Sequence, residues 1–404
     1  MKTVAIVGTF DTKGDEFLYV KNQLEKLGLQ TLTIHCGIFD PEFVPNITNS
    51  EVTQEVDINL SVIAERHDRA IATEAMTNGV RALLPRLYRE GRFDGVISMG
   101  GSGGSAIATA GMRELPLGVP KIMVSTMASG DVSAYVGASD IMMMPSIVDV
   151  EGINSFSSII FNNAVAAMAG MLQNEIEPLS ESKPLIAATM FGVTTPCIQY
   201  AEKYLQDKGY EVLVFHATGA GGKCMENLVK QGIIAGVLDL TTTEWCDELF
   251  DGVLNAGPDR LSAAALNGVP AVVSVGALDM INFGPYDTVP KEHKDRNLYR
   301  HNPSVTLMRT TKEENTKLGE KIAEKLNTST GPCVLALPLK GVSMIDLEGQ
   351  AFYGPEEDEA LFAALREDIN PKKVDIKEYD MHINDKEFAE ACSQTLIDLI
   401  ESHK

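Results

Sequence analysis

Short apolar runs alternate along the chain with longer segments in which apolar residues recur every three or four positions. The first run is Thr3–Val7. A helical pattern from Asp15 to Leu27 follows it, and then a second apolar run from Gln30 to Ile34. The short runs predict strands, and the wider spacing predicts an amphipathic helix. Strands that alternate with helices form parallel sheets, so the chain is predicted to be an α/β protein with Rossmann-like sheets.

The opening pattern returns after Pro184. Four matched pairs are 181 positions apart: Phe10/Phe191, Leu24/Leu205, Gly28/Gly209 and His35/His216. Gly95–Ile97 matches Gly236–Leu238 at an offset of 141, so the first half has about 40 additional residues between its second and third strands. Internal duplication explains these matches, although two βαβ units can also look alike because they solve the same packing problem. We predict two Rossmann-like subdomains, 1–180 and 184–404, with a polar boundary at 178–183 and a cleft between them.

Composition supports two folded cores and excludes some functions. The chain has 404 residues, of which 44% are hydrophobic and 22% charged. A net charge of −22 argues against nucleic-acid binding, which requires a dense basic face. The six cysteines lack metal-site spacing and are expected to be reduced thiols of a cytoplasmic protein. The apolar stretch from Ile159 to Leu172 is shorter than the roughly 20 residues of a membrane span and predicts a buried helix.

Glycine-rich and hydroxyl-rich loops follow three predicted strands of the first half, at Gly8–Gly14, Ser98–Ser105 and Ser125–Asp131. Ligands of doubly wound sheets bind at the carboxyl ends of the strands, where helix N-termini offer free N–H groups to anions. The first loop has an alternative interpretation as a capped turn, because Asp and Thr are good N-cap residues. We predict a phosphate site formed by Thr9, Phe10, Asp11, Thr12, Lys13, Gly100, Gly101, Ser102, Gly103, Gly104, Thr126, Ser129 and Gly130.

Candidate catalytic residues lie near strand ends of the second half. Glu226, Glu244 and Asp279 could converge near one cleft, where carboxylates would suit acid–base chemistry or magnesium. Each of these acids taken alone is more often a helix cap or a solvated surface group than a catalytic residue. His216 precedes a glycine loop, and Arg309 ends a short apolar run, where it could contact an anion.

A charged, turn-rich stretch from Asp287 to Arg309 contains six basic or histidine side chains before Arg309. In an acidic protein such a stretch could be a lid over an anionic substrate. A solvated loop is the equally weighted alternative.

Several of these motifs resemble the Tm-1-like ATP-binding protein family. They are GTFDTKG at 8–14, SMGGSGGS at 98–105, STMASGD at 125–131, FHATGAGG at 215–222, SVGALDMINFG at 274–284 and PLKGVSMID at 338–346. The resemblance covers essentially the whole chain. It implies ATP and Mg²⁺ at the first-half loops and a homodimer of two-subdomain chains, but it supplies no reaction.

Three functional hypotheses follow. The first is an ATP-binding enzyme that transfers a phosphoryl group to a small anionic substrate, a class of reaction that needs mainly positioning, a metal and positive charge. The second is a nucleotide-sensing or protein-binding module without turnover. The third is a lyase or isomerase whose glycine loops bind a phosphorylated metabolite.

Overall fold

The computed structural model describes residues 1–58, 69–174 and 183–403. Internal packing divides the chain into two units, Met1–Pro178 and Leu179–Lys404. Of the predicted boundary segment 178–183, residues 178–182 lie outside the described part of the chain. The cleft expected between the two units stays a prediction.

The first unit is a five-stranded parallel sheet with helices. Its strands are β1 (Thr3–Gly8), β2 (Gln30–His35), β3 (Gly95–Gly100), β4 (Lys121–Ser125) and β5 (Met142–Pro145). Its described helices are α1 (Gly14–Lys26), α2 (Asn49–Gln54), α3 (Arg69–Arg89), α4 (Ser102–Met112), α5 (Ser133–Val136) and α6 (Ser155–Gln173). The strand order is β2-β1-β3-β4-β5. This doubly wound order reverses direction between β1 and β3, which is where such sheets bind ligands.

Alternation along the strands places apolar side chains on both faces of this sheet. Ala5 and Val7 of β1 pack in one core with α3 and α4, whereas Val4 and Ile6 pack in a second core with α1 and α6. A strand that is buried on both faces reads as a continuous apolar run, as Thr3–Val7 does. The two cores hold the carboxyl ends of β1 and β3 side by side.

The second unit contains a six-stranded parallel sheet and a small antiparallel sheet. Its strands are β6 (Leu185–Met190), β7 (Glu211–His216), β8 (Gly236–Thr241), β9 (Ala271–Gly276), β10 (Met280–Phe283), β11 (Leu298–Asn302), β12 (Val305–Arg309), β13 (Cys333–Pro338) and β14 (Val374–Tyr379). Its α-helices are α7 (Thr195–Asp207), α8 (Ala220–Lys230), α9 (Glu244–Leu249), α10 (Ala263–Asn267), α11 (Lys312–Leu326), α12 (Pro355–Asp368) and α13 (Lys386–His403). The parallel order is β14-β13-β9-β8-β6-β7, and the antiparallel order is β10-β12-β11.

The two units repeat the same arrangement of elements. The bounds of α1 and α7, and those of β2 and β7, differ by 181 positions; those of β3 and β8 differ by 141, and those of β1 and β6 by 182. Both parallel sheets place their second strand at an edge and their first strand beside the third. The predicted α/β class with two parallel sheets is confirmed.

Two segments differ from the sequence-based prediction. The stretch 287–309, expected to be a lid or a solvated loop, contributes β11 and β12 to the antiparallel sheet, and Met280–Phe283 pairs with Val305–Arg309. The stretch 374–379 forms the edge strand β14. Its charged sequence, VDIKEY, did not predict a strand. Polar alternation on a partly exposed strand gives a weaker signal than a buried apolar run.

Helix α6 is long and apolar enough to cross a membrane by length and composition alone. Its Phe161, Val165 and Met168 side chains pack in the core of the first unit, whereas Asn162 and Asn163 are exposed, so the helix predicted to be buried is buried along one face only. At its N-terminal end, Phe156 and Ile159 are exposed. The six cysteines are free thiols, as predicted, and the cytoplasmic location stays a prediction.

Candidate functional site

A cavity of about 590 Å³ lies at the carboxyl ends of β1, β2 and β3 in the first unit. It is lined by Thr9, Asp11, Thr12, Lys13, Cys36, Gly37, Ile38, Phe39, Ala72, Thr73, Met76, Gly100, Gly101, Ser102, Gly103, Gly104, Ile107 and Asp149. The volume falls in the range of small-molecule and cofactor sites, roughly 300–1,000 Å³. The cavity occupies the switch point of the doubly wound sheet, the position at which the fold is expected to bind a ligand.

The glycine-rich segment between β3 and α4 forms one wall of this cavity. The first N–H groups of a helix have no acceptor within the helix. In the described part of the chain, the N–H groups of Ser102, Gly103 and Gly104 donate no hydrogen bond; the first helical bond is donated by Ser105 N–H to Gly101 O. These donors therefore face the cavity as a ready anion site.

Two glycines of this wall, Gly103 and Gly104, are not required by the packing of the protein. A Cβ atom added at Gly103 would meet no atom within 4 Å, and one added at Gly104 would lie 3.7 Å from Met99 O, an ordinary contact distance. Neither residue has a positive φ angle that would favour glycine. The absence of side chains thus leaves open space in front of the helix N-terminus, where a ligand can approach the backbone.

The loop after β1 provides hydroxyl groups, one cation and one carboxylate. Thr12 Oγ1 donates to Thr9 Oγ1 at 3.0 Å. Lys13 Nζ donates to the carbonyl oxygen of Val150, next to Asp149. Asp11 Oδ2 accepts from Phe39 N–H at 3.0 Å, whereas Asp11 Oδ1 is buried without a hydrogen-bond partner in the described chain. The cavity thus contains the ammonium group of Lys13 and a carboxylate, that of Asp11, with one oxygen that lacks a hydrogen-bond partner.

Four of the residues predicted to bind phosphate do not line the cavity. Phe10 is fully buried and stacks on His35 and Phe43, with ring centroids 5.4 and 4.7 Å away. The three residues Thr126, Ser129 and Gly130 belong to the turn after β4, and they too are absent from the lining. The turn after β4 lies beyond the switch point, and Phe10, in the turn after β1, packs with Val4 and Ile6 in a core of the first unit.

The apolar residues that line the cavity, here called its apolar wall, were not predicted from the sequence. Ile38 and Phe39 follow β2, Ala72 and Met76 lie on α3, and Ile107 lies on α4. Part of this wall comes from the additional residues of the first half. The sequence shows that the first half has these additional residues, but they contain no local motif that predicts a binding surface.

In the second unit, Glu226 and Glu244 belong to a buried ionic network around Arg260. The Arg260 guanidinium is 1% exposed and donates to both oxygens of Asp239, with Nη2 to Oδ1 at 2.7 Å, and to Glu244 Oε2 at 2.6 Å. Glu226 also accepts from the N–H groups of Leu261 and Ala263, both at 2.6 Å. Each carboxylate in the network is already engaged by protein donors.

Asp279 and Arg309 belong to a second buried network. Arg309 Nη2 donates to Asp358 Oδ1 at 2.8 Å and to Asp346 Oδ1 at 3.4 Å. Asp279 Oδ2 accepts from Ser343 Oγ at 2.7 Å, while Asp279 Oδ1 is buried without a partner in the described chain. Burial raises the pKa of Asp279 and of Asp346 to about 6 and that of Asp358 to about 8.

The predicted catalytic residues therefore do not form one site: four of them lie in two separate buried networks, and His216 lies in neither. Glu226 and Glu244 share one hydrogen-bonded network, and Asp279 and Arg309 share the other. His216 is exposed at the end of β7, and its ring centroid lies 5.6 Å from that of Phe191. Across the described ranges, no group of three or more His, Cys, Asp or Glu side chains is arranged to hold a metal ion by itself.

Two family models match the chain. The N-terminal domain of the uncharacterised protein family UPF0261 matches residues 2–177, and the C-terminal domain of the same family matches residues 183–400. A UPF0261 protein of Clostridium tetani is 53% identical over 99% of both chains. The ToMV resistance protein Tm-1(GCR237) of Solanum lycopersicum is 39% identical over 98% of this chain, which spans 55% of the tomato protein.

Among solved structures, a UDP-N-acetylglucosamine 2-epimerase described as putative, from Listeria monocytogenes, aligns with 100% of this chain and 96% of its own length. The identity is 11% and the TM-score 0.22. A similarity this weak carries no functional argument.

The raised pKa of Asp358 gives a prediction for the pH dependence of stability. The pKa of Asp in an unfolded chain is about 3.9. Between that value and about 8, the folded protein retains a proton that the unfolded chain releases, so this group lowers the free energy of unfolding as the pH rises. Asp358→Asn imitates the protonated acid, and we expect it to stabilise the protein by about 1–2 kcal/mol more at pH 8 than at pH 6.

Chemical denaturation at both pH values measures this difference. Asp368→Asn is the matched control, because Asp368 lies on the same helix and is exposed. An Asp358→Asn variant whose stability relative to wild type is the same at pH 6 and pH 8 would show that Asp358 is ionised throughout this range.

Proposed function

The chain belongs to the uncharacterised protein family UPF0261. We propose that its first unit binds ATP with Mg²⁺. The observation that carries the proposal is the open glycine wall of the cavity at the switch point. Ser102, Gly103 and Gly104 present N–H groups that lack acceptors in the described chain, and no protein atom occupies the space in front of Gly103. Phosphate oxygens are the ligands that such a helix N-terminus prefers.

The remaining lining residues fit the other parts of a nucleotide. Lys13 would place its ammonium group near the phosphates, because its present partner is a neutral carbonyl oxygen and not a carboxylate. The apolar wall formed by Ile38, Phe39 and Met76 would accept the flat face of a base. Asp11 and Asp149 are the lining carboxylates, and Mg²⁺ is usually held by one or two carboxylates together with substrate phosphates.

The buried and unpaired Asp11 Oδ1 supports a role for Asp11 in holding the metal, since a buried carboxylate oxygen without a donor is costly. Bound Mg²⁺ would neutralise phosphate charge. The chain itself would hold the phosphates through Lys13 and the N-terminus of α4. For turnover we propose phosphoryl transfer to a small anionic substrate, because this class of reaction depends mainly on positioning and charge. A nucleotide sensor without turnover uses the same site, and loss of ATP over time in a purified sample separates the two.

We also propose a homodimer, and the edge strand β7 supports it. Four strands form the edges of the two parallel sheets. β2 is covered by a bridge to Ile47, β5 has four residues and ends at Pro145, and β14 carries three charged residues. β7 has the sequence EVLVFH, with Val212 to Phe215 partly or fully exposed. Apart from Glu211 and His216 at its two ends, this edge is apolar and uncharged, and such an edge is a template for pairing with another strand.

The same strand of a second copy is a suitable partner. Glu211 N–H and Ala217 N–H donate to residues before and at the end of β6, so the alternate residues Val212 and Val214 direct their backbone groups outward. Antiparallel pairing about a two-fold axis at Val214 would place Leu213 opposite Phe215 and apolar side chains on both faces. Isologous interfaces of this kind are the commonest in homodimers.

Gly103→Val tests the nucleotide site. The new side chain has room in the folded protein but would stand in the phosphate position, so we expect at least a tenfold loss of ATP affinity, about 1.4 kcal/mol. Lys13→Ala is expected to weaken binding by a similar factor, because it removes the cation of the cavity. Isothermal titration calorimetry with ATP, with and without Mg²⁺, measures both effects.

Gly170→Val is the matched control, because Gly170 is also a helical glycine at which an added Cβ atom would meet no atom within 4 Å. It should bind ATP like the wild type. Equal ATP affinity in all variants, or no binding of any nucleotide by the wild type, would contradict the proposed site.

Val214→Lys tests the dimer. A lysine in the middle of β7 places charge in the proposed strand pair, and we expect a dimeric wild type and a monomeric variant by light scattering after size exclusion. Val253→Lys, at an exposed position outside any strand, should remain dimeric. A monomeric wild type, or a dimer that tolerates Val214→Lys, would rule out pairing through β7.

A further inference from the structure

The switch point of the second unit is filled by side chains of the chain itself. β3 and β8 differ by 141 positions, and the same offset places Glu244 at the position of Gly103 (103 + 141 = 244). The open segment Gly101–Gly104 of the first unit therefore corresponds to Thr242, Thr243, Glu244 and Trp245 in the second. Glu244 is 0% exposed and Trp245 2% exposed, so both side chains are buried where the first unit has open space.

The Glu244 carboxylate occupies an anion site made by a glycine loop. Glu244 Oε1 accepts from Gly219 N–H at 2.6 Å and from Gly222 N–H at 3.1 Å, at the N-terminus of α8. Glu244 Oε2 accepts from Arg260 Nε at 2.6 Å. Two backbone N–H groups and a guanidinium around one anion form the arrangement with which proteins commonly bind phosphate or carboxylate ligands.

Of the glycines in this loop, Gly222 is explained by the carboxylate that it binds, whereas Gly219 is required by its φ angle of +84°. A Cβ atom at Gly222 would lie 2.3 Å from Glu244 Oε2, so a larger residue would displace the carboxylate. At Gly103, by contrast, an added Cβ atom would meet no atom within 4 Å. The two units thus contain glycine-rich helix N-termini of the same chemistry, one facing an open cavity and the other closed by an internal carboxylate.

We propose that Glu244 is a built-in anion that takes the place of a ligand in the second unit. The site formed by Gly219, Gly222 and Arg260 has the chemistry to bind a small carboxylate or phosphate, and Glu244 blocks it in the native protein. The role of Glu244 is then that of an internal ligand. If the proposed function of the first unit holds, on which this last step rests, each chain binds one nucleotide and not two.

Chemical rescue of Glu244→Ala tests the internal ligand without any nucleotide. Removing the carboxylate leaves two N–H donors and Arg260 around an empty space, and we expect a fall in Tm of roughly 10 °C. Sodium acetate, formate or inorganic phosphate should restore part of this loss in a saturable way, relative to chloride at equal ionic strength. Wild type and Glu248→Ala, a change on the same helix, should show no such response.

A second variant keeps the test decisive. Glu244→Gln fills the same space, so it should be less destabilised and should not respond to added anions. If Glu244→Ala does not fold in chloride, recovery of folded protein on refolding with acetate or phosphate is the expected result. A Glu244→Ala protein, folded or refolded, that responds to acetate, formate and phosphate no more than to chloride would overturn the proposal.

Rescue with no nucleotide binding by the wild type would leave the internal ligand intact and reject the proposed ATP site. Nucleotide binding in a ratio of two per chain would reject the internal ligand and retain the ATP site. Calorimetric stoichiometry on the wild type separates these outcomes, because it counts sites independently of the rescue.

Discussion

The first N–H groups of a helix need acceptors, and the two units meet this requirement differently. In the second unit, the N-terminus of α8 donates to Glu244, whose charge is balanced by Arg260. In the first unit, the N-terminus of α4 opens into a cavity of about 590 Å³. Ser102 is exposed and Gly103 and Gly104 are partly exposed, so water or a ligand has to accept from these donors. The proposed nucleotide site follows from this one difference.

The duplicated topology explains why the difference arises at this place. Both sheets place the first and third strands side by side, so the loops after these strands meet at a switch point in each unit. The additional residues of the first half also cover the edge of β2 through Ile47 and contribute Ala72 and Met76 to the apolar wall. The second half lacks them, and its equivalent edge, β7, is exposed. One insertion thus both builds a cavity wall and protects a strand.

Elements with strong local patterns could be predicted from the sequence. The buried runs at Thr3–Val7 and Lys121–Val124 identified parallel strands, and the constant offsets identified the repeat. The antiparallel sheet was missed because its strands are short and β11 is largely polar. Arg260 was missed because no motif surrounds it; its role depends on Asp239 and Glu244, which lie 21 and 16 positions away. Long-range partners of this kind leave no local periodicity.

The most direct test of the open first site is the response of glycine amide resonances to ATP. With ¹⁵N-glycine labelling, Gly103 and Gly104 can be assigned by substitution with alanine, and Gly219 and Gly222 by sequential backbone assignment, because a Cβ atom at either position would clash. On addition of MgATP, the resonances of Gly103 and Gly104 should shift in a saturable manner, while those of Gly219 and Gly222 stay in place. Shifts confined to Gly219 and Gly222, or absent from all four, would contradict a nucleotide site in the first unit.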